Sequence, residues 1–393
     1  MLRGVKGIVE YPRNHKSKKH GSLPGLIFLI PSLSGGGAER VASNLLPYIS
    51  QHFDVILAVL ENRLTYPVPQ NVRLIAFSGP LKTQSAHILR IPYHVYSLAR
   101  LVRKYNVRIV LSFMEQANIL NLLTAFIAHH KTMISQRNKP KRQYANKGLL
   151  GKLILKTSFL LYPRAGQIGA VSEGIGNTLI FDHGLDKAKL TVIPNPVNIE
   201  KLSHQARAAL PSNIPGKYIL HVGRMTLDHK GQDVLLKAFY ILRRKYSDLS
   251  MVFVGDGPDR VRIIAQIKTL GLEDAAILTG WQENVACFMA RAQVLLLGSR
   301  SEGWPNVLVE AMACGCPVVS TDCDTGPREI LGDNEYGLLV PVDDPETMAQ
   351  EVEKLLLNDE LKKKLVERGL KRASHFQTEK IASKYIEVLN KLL

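Results

Sequence analysis

Short apolar runs recur along this chain at intervals that leave room for a helix between each pair. Leu26–Pro31, Val55–Val59, Arg73–Phe77, Ile109–Ser112, Met133–Ser135, Gln167–Ala170 and Leu190–Ile193 read as buried strands, and the segments between them as helices. Alternation of this kind predicts a largely parallel sheet covered by helices. The turn-rich segment Pro194-Asn195-Pro196 interrupts it at mid-chain. A second series starts at Tyr218–Val222 and continues through Met251–Val254, Ala276–Leu278, Val294–Leu297 and Pro317–Ser320. With 393 residues the chain can bury two such cores. The expected fold class is therefore α/β, with two doubly wound domains hinged near Asn195 and a cleft between their strand ends, where such folds bind ligands.

Composition is that of a globular protein, with 46% hydrophobic and 22% charged residues. Charge changes the picture more. Residues 1–195 carry 26 Lys and Arg against 8 Asp and Glu, whereas residues 196–393 carry 25 against 26. The first half is thus suited to an anionic partner: nucleic acid, a phospholipid surface or a phosphorylated acceptor. Residues 1–20 are basic and without periodicity, and read as a mobile arm. Lys16, Lys18 and Lys19 ahead of Leu23–Leu33 imitate a secretory leader, but Pro24 and Pro31 break its apolar core. No run reaches 18 apolar residues, so no membrane span is expected.

Two stretches of the first half mix basic and apolar residues. Gln84–Lys104 places His87, Arg90, Arg100, Arg103 and Lys104 among Ile88, Ile91, Tyr96 and Leu98; Lys139–Arg164 places Lys147, Lys152 and Lys156 beside Leu149, Leu153 and Phe159. Basic amphipathic segments suit an anionic membrane surface. The alternative is a helix that packs its apolar face into the core and leaves its basic face in water.

Cys287, Cys314, Cys316 and Cys323 lie in expected core elements and read as buried, reduced thiols, which implies a cytosolic location. No cysteine or histidine spacing marks a metal site, and Asp322-Cys323-Asp324 reads as a strand-end turn.

Candidate chemistry concentrates in the second half. Glu302 sits in the loop after the Val294–Gly298 strand, and Pro305 opens a helix that ends by Gly315 and Pro317, which places Glu310 about two turns in. Backbone N–H groups around Gly303, Asn306 and Val307 make a phosphate site, flanked by two carboxylates able to hold sugar hydroxyls. His221-Val222-Gly223-Arg224 closes a strand, and Lys230-Gly231 follows at an expected helix start; Arg224 and Lys230 can converge on one diphosphate. Val254-Gly255-Asp256-Gly257-Pro258 and Leu278-Thr279-Gly280-Trp281 are further strand-end turns, the last able to receive a nucleobase on Trp281. In the first half, Ser34-Gly35-Gly36-Gly37-Ala38-Glu39-Arg40 follows a strand and opens a helix, so its backbone can approach a phosphate closely.

Together these features resemble the retaining glycosyltransferases of family 4, which have the GT-B fold of two facing Rossmann-like domains. The residues that carry the resemblance are Gly35–Glu39, Gly169–Glu173, Ile193–Val197, Gly223-Arg224 with Lys230-Gly231, Gly255–Pro258, and the glutamate pair Glu302 and Glu310. It runs from about residue 26 to the C-terminus, where Phe376 and Thr378–Leu392 look like the family's final helix, which crosses back to the first domain. The resemblance gives an arm at 1–22, an acceptor domain at 23–195, a nucleotide-sugar domain at 196–375 and a crossover helix at 376–393. It implies that Gly36 and Gly37 approach the donor diphosphate and that Arg224 and Lys230 neutralise it. Glu302 would hold donor-sugar hydroxyls, Asn306 and Val307 the phosphates, and Glu310 the ribose diol.

The implied reaction is metal-independent, without a cofactor, and uses a nucleotide sugar, with UDP favoured. Ser135-Gln136-Arg137-Asn138 and Asp324–Glu329 resemble segments of the branch acting on polyprenyl-diphosphate-linked glycans, O-antigen, capsule and lipopolysaccharide precursors, at the inner face of the cell membrane. Arg137 would suit an acceptor phosphate. Where relatives carry a His or Asp near the sugar, this chain has Ser112–Asn118, leaving Glu115 and Asn118 as alternatives. The rival from another class is a nucleic-acid-binding or nucleic-acid-modifying protein using the same basic half. Against it, the basic segments interleave with Leu and Ile more than with stacking aromatics, so no nucleic acid is expected.

Overall fold

The computed structural model describes residues 8–11, 23–77, 90–144 and 148–393. The chain forms two compact units: one runs to Pro196 and takes in Thr378–Leu393, and the other is Val197–Gln377.

Among the described residues, the first unit is built on an eight-stranded sheet of β1 (Ile8–Glu10), β2 (Gly25–Ile30), β3 (Asp54–Val59), β4 (Arg73–Phe77), β5 (Val107–Phe113), β6 (Lys131–Gln136), β7 (Gln167–Ala170) and β8 (Leu190–Val192). Their order across the sheet is β1-β4-β3-β2-β5-β6-β7-β8, parallel except for β1 against β4. The strand β2 reads GLIFLI with no polar alternation because both its faces are covered. Leu26, Phe28 and Ile30 pack with α1 (Gly37–Ile49), whereas Ile27 and Leu29 pack on the side of α2 (Ile91–Lys104) and α3 (Glu115–Ala128). Further helices are α4 (Pro140–Tyr144), α5 (Gly148–Leu161) and α6 (Glu173–His183), the last capped by the Ser172 hydroxyl on the Ile175 amide.

The second unit has a six-stranded parallel sheet of β9 (Tyr218–Val222), β10 (Ser250–Val254), β11 (Ala276–Gly280), β12 (Leu295–Leu297), β13 (Val318–Thr321) and β14 (Leu338–Val340), in the order β11-β10-β9-β12-β13-β14. Its helices are α7 (Ile199–Ala206), α8 (Leu227–Lys230), α9 (Gln232–Arg243), α10 (Arg260–Thr269), α11 (Ala286–Met289), α12 (Asn306–Ala313), α13 (Pro327–Leu331), α14 (Pro345–Leu357) and α15 (Asp359–Ser374). Asp344 caps α14 ahead of Pro345, and Asn358 caps α15, each side chain accepting from an amide three residues on. The last helix, α16 (Thr378–Asn390), belongs to the first unit, where Ile381, Tyr385, Val388 and Leu389 join the core beside α1.

Several expectations need correction. Of the N-terminal arm, residues 8–11 are ordered: Ile8–Glu10 pairs with β4, and Glu10 accepts from Lys104 at 2.7 Å. The rest of the arm, His87 and Lys147 lie outside the described residues. The strand β14 was not expected, although its run is as short and as apolar as β12. Helix α12 begins at Asn306, so Glu310 is its fifth residue, little more than one turn in. Lys230 ends the single turn α8, and Gly231 then opens α9. All four cysteines are free, and burial pushes the Cys314, Cys316 and Cys323 thiols up to about 12.

Candidate active site

Strand order reverses between β9 and β12 in the second unit, and the carboxyl ends of such strands are where open α/β sheets bind ligands. The turn after β9 is fixed from the β10 side. Gly223 N–H donates to Val254, Met225 N–H to Asp256, and the Asp259 carboxylate accepts from Leu227 N–H at 2.9 Å. Gly231 then takes φ +61 and lies so close to the end of β12 that a Cβ there would stand 2.0 Å from the Gly298 carbonyl oxygen. This backbone contact brings Lys230 beside the loop that carries Glu302.

Lys230 Nζ donates to Glu302 Oε1 at 2.5 Å, and Ser299 Oγ donates to the same oxygen at 2.7 Å. The Thr325 hydroxyl holds the Glu302 carbonyl, and Thr321 Oγ1 donates to the Ser299 carbonyl at 2.6 Å. Burial alone would raise the Glu302 carboxyl, but the Lys230 ammonium and the two hydrogen bonds keep it below its ordinary value. Arg300 clamps the same loop from outside. Its guanidinium grips Asp233 at 2.8 and 3.1 Å and donates to Asp343 and to the Leu227 carbonyl, so it is held charged.

Beneath the pair lies a neutral histidine. His221 is buried against the Leu296 carbonyl at 3.1 Å, and burial lowers its ring to about 4. Gln232 links it to the Arg224 carbonyl, so the Arg224 backbone is fixed while its side chain is exposed. Glu310 is buried on α12, and Asn306 and Val307 open that helix. Gly303 abuts the Gly326 turn, and Trp304 sets its edge on Phe376 at 5.1 Å. Trp281, in contrast, is 69% exposed beyond β11 and takes no part in the core.

The reversal in the first unit falls between β2 and β5. After β2, Gly36 is the N-cap of α1 and Gly37 its first residue, with Glu39 buried in the first turn. After β5, Met114 takes φ +75, a strained conformation for a side-chain-bearing residue, immediately before Glu115. Glu115 and Asn118 both turn inward. Glu115 accepts from Gln136 at 2.9 Å and from Tyr162 OH at 2.8 Å; Asn118 accepts from Ser112 and donates to the Ser135 carbonyl and to Tyr162. Burial raises the Glu115 carboxyl in spite of these donors. Arg137 is also buried, stacked 4.6 Å over Phe113 and bonded to Asn195.

Tyr162, which carries no family signature, is thus the hinge-pin of this network. Tyr162→Phe is expected to cost about 1–3 kcal/mol, because a buried carboxylate loses a donor. A raised carboxyl withdraws stability as pH climbs above its ordinary value of 4.5, so the deficit should grow from pH 4 to 7 in urea titrations.

The two basic segments differ from each other. In α2, Leu98, Leu101 and Val102 are core residues, with Arg100 and Arg103 in water. In α5, Leu149, Leu153, Phe159 and Leu160 are exposed beside Lys152 and Lys156.

Residues 35–201 match the sequence model of Glycosyltransferase Family 4, and residues 203–372 that of Glycosyl transferases group 1. A Campylobacter jejuni protein is 30% identical over 365 residues, 92% of this chain and 98% of its own length. Its name is N-acetylgalactosamine-N,N'-diacetylbacillosaminyl-diphospho-undecaprenol 4-alpha-N-acetylgalactosaminyltransferase. The chain is a family 4 glycosyltransferase. A second protein of that organism, a GalNAc-alpha-(1->4)-GalNAc-alpha-(1->3)-diNAcBac-PP-undecaprenol alpha-1,4-N-acetyl-D-galactosaminyltransferase, is 24% identical over 92% of the glycosyltransferase and 97% of itself. The fold matches that of Anabaena HepE, solved in complex with UDP, with a TM-score of 0.77 at 19% identity over 93% of this chain and all of that one. The GT-B expectation is met, and these relatives give the nucleic-acid alternative no support.

Of the expected site residues, the glycosyltransferase brings Lys230 and Glu302 into contact and sets Glu310 on the helix that follows. Sequence reading missed Ser299 and Arg300, which hold Glu302 and its loop, and His221 and Gln232, which fix the turn at Arg224. The first two are neighbours of Glu302 in the chain, but their partners and the His221–Gln232 contact come from separate elements that only the fold joins.

Proposed function

We propose that this glycosyltransferase is a retaining enzyme that moves a hexose or N-acetylhexosamine from a UDP-linked sugar to a polyprenyl-diphosphate-linked glycan, without a metal ion, at the cytoplasmic face of a membrane. The observation that carries the reading is the Lys230 to Glu302 pair at the strand-order reversal of the second unit. An ammonium fixed there can offset a departing diphosphate, the task a divalent cation performs in other transferases. Arg224, exposed on the adjoining turn, supplies a second positive charge, and Glu302 accepts from hydroxyls of the donor sugar. The start of α12 at Gly303, Asn306 and Val307 offers amides to the phosphates, Glu310 takes the ribose diol, and Trp281 meets the base. Gly36 and Gly37 close on the diphosphate. Arg137 meets an acceptor phosphate, while Glu115 and Asn118 hold the preceding Gln136 side chain and Ser135 carbonyl.

Attack by the acceptor hydroxyl comes from the face the diphosphate leaves, with a phosphate oxygen taking the proton. Support for the acceptor class comes from the two Campylobacter relatives, whose names specify undecaprenol-linked glycans. The exposed apolar residues of α5 beside Lys152 and Lys156 suit an anionic bilayer surface, each basic residue contributing roughly 1 kcal/mol. Incubation with a panel of radiolabelled nucleotide sugars and bacterial membrane lipid should label the lipid from a UDP-sugar, and the rate should persist in EDTA. Loss of labelling on chelation would remove the metal-free part of the proposal; labelling only from GDP-sugars would remove the donor.

A further inference from the structure

A cavity of about 300 Å³ opens in the first unit between α2, α3 and α5. Ile91, Leu123, Leu150, Leu153 and Ile154 give it largely apolar walls. His94 and Thr157 also line it, but its other polar members stand at one end. Arg90 caps α2, Gln116 lies in the first turn of α3 and Glu61 follows β3, so all three mark the carboxyl edge of the sheet, where ligands meet this kind of fold. Arg90 Nε is buried and meets no acceptor among the described residues. At the other end the wall continues outward: Leu150 and Leu153 line the cavity and are exposed on the face of α5 that also shows Leu149 and Lys152.

We propose that this cavity binds the head-proximal isoprene units of a prenyl diphosphate, with the diphosphate against Arg90 and the rest of the chain leaving along α5. The inference rests on the lipid-linked acceptor reading above and adds a chain-binding site to it. Three features select this occupant. Apolar walls with Arg90 at the mouth, where the neighbouring Glu61 carboxylate is already paired with Arg63, complement a branched hydrocarbon bearing an anionic head. The cation stands at the carboxyl edge, so a diphosphate there leaves the attached sugar at the reacting end. The exposed leucines are continuous with the cavity, so the hydrocarbon passes from bilayer to protein without crossing water.

The test uses the full chain. Titration calorimetry with farnesyl diphosphate should show one site per chain, with inorganic diphosphate and farnesol each binding about tenfold or more weakly. Leu123→Trp fills the cavity without adding charge. It should weaken farnesyl diphosphate by about tenfold or more and raise KM for the lipid-linked acceptor, with kcat and UDP binding unchanged. Arg90→Gln should erase the preference for farnesyl diphosphate over farnesol. Undiminished farnesyl diphosphate binding in both variants would overturn the inference, as would a wild-type chain that binds phosphatidylglycerol vesicles but not farnesyl diphosphate. Failure of the acceptor reading looks different: the wild-type chain would glycosylate water-soluble glycans and leave membrane lipid unlabelled.

Discussion

Lys230→Ala is expected to lower the transfer rate by about 10²–10³, the usual effect of removing one positioned charge from a developing anion. The same substitution should cost stability in a way that identifies its cause. Glu302 keeps its buried position and its Ser299 donor but loses the ammonium, and breaking a buried pair from one side costs about 3 kcal/mol, here at the lower end of the usual range because Lys230 is partly exposed. The sign with pH follows. In the wild-type chain the Glu302 carboxyl lies below its ordinary value of 4.5, so its contribution is present above that pH and fades as acid protonates the folded state. Without Lys230, burial is opposed by little more than the Ser299 hydrogen bond and lifts the carboxyl, so stability is instead withdrawn as pH rises past 4.5. The gap between wild type and variant should therefore widen from pH 4 to pH 7 in denaturant titrations. A constant gap across that range would mean that Lys230 does not hold Glu302 ionised.

Gly231→Ala should be among the most damaging single-methyl changes in the second unit. Two costs coincide there: a φ of +61 that a side chain disfavours, and a Cβ 2.0 Å from the Gly298 carbonyl oxygen. Neither is a flexible side-chain end, so α9 must withdraw from β12. We expect a loss of about 4 kcal/mol or more, in the range that marks a specific backbone conflict, with donor binding lost alongside because Lys230 is the preceding residue. Gly271→Ala provides the comparison, since Gly271 has a similar φ of +64 with nothing within 4 Å of the added carbon, and it should cost only about 1 kcal/mol. Equal losses at the two sites would show that conformation alone, and not the approach of α9 to β12, sets the penalty.

How far the sequence disclosed this site depends on what each residue does. Buried parallel strands announce themselves as unbroken apolar runs, which is why β2, β9 and β12 were legible; β14 is a run as short and as apolar as β12 and was passed over. The glutamate pair was legible from its spacing around a glycine and a proline. The position of Glu310 was not, since Pro305 serves as the cap of α12 and the helix starts a residue later than the apolar pattern implies. Glu115 and Asn118 show the limit most clearly. A polar residue after a strand reads as a ligand contact, yet both side chains are consumed by partners as far away in sequence as Tyr162, and no local pattern encodes a partner 44 or 47 residues distant. Of the two basic stretches, composition made them alike; only burial separates α2, whose leucines belong to the core, from α5, where Leu161 alone among the leucines does.

The return of α16 to the first unit bears on how the polypeptide is made. Residues 1–196 are all synthesised well before Ile381, Tyr385, Val388 and Leu389, so the first unit lacks a wall of its core until the rest of the chain, the whole second unit included, has been made. Until α16 has been made, the apolar surface flanking α1 is open, and a nascent chain stalled just short of residue 378 should be the form of this enzyme that chaperones retain and proteases cut within the N-terminal half.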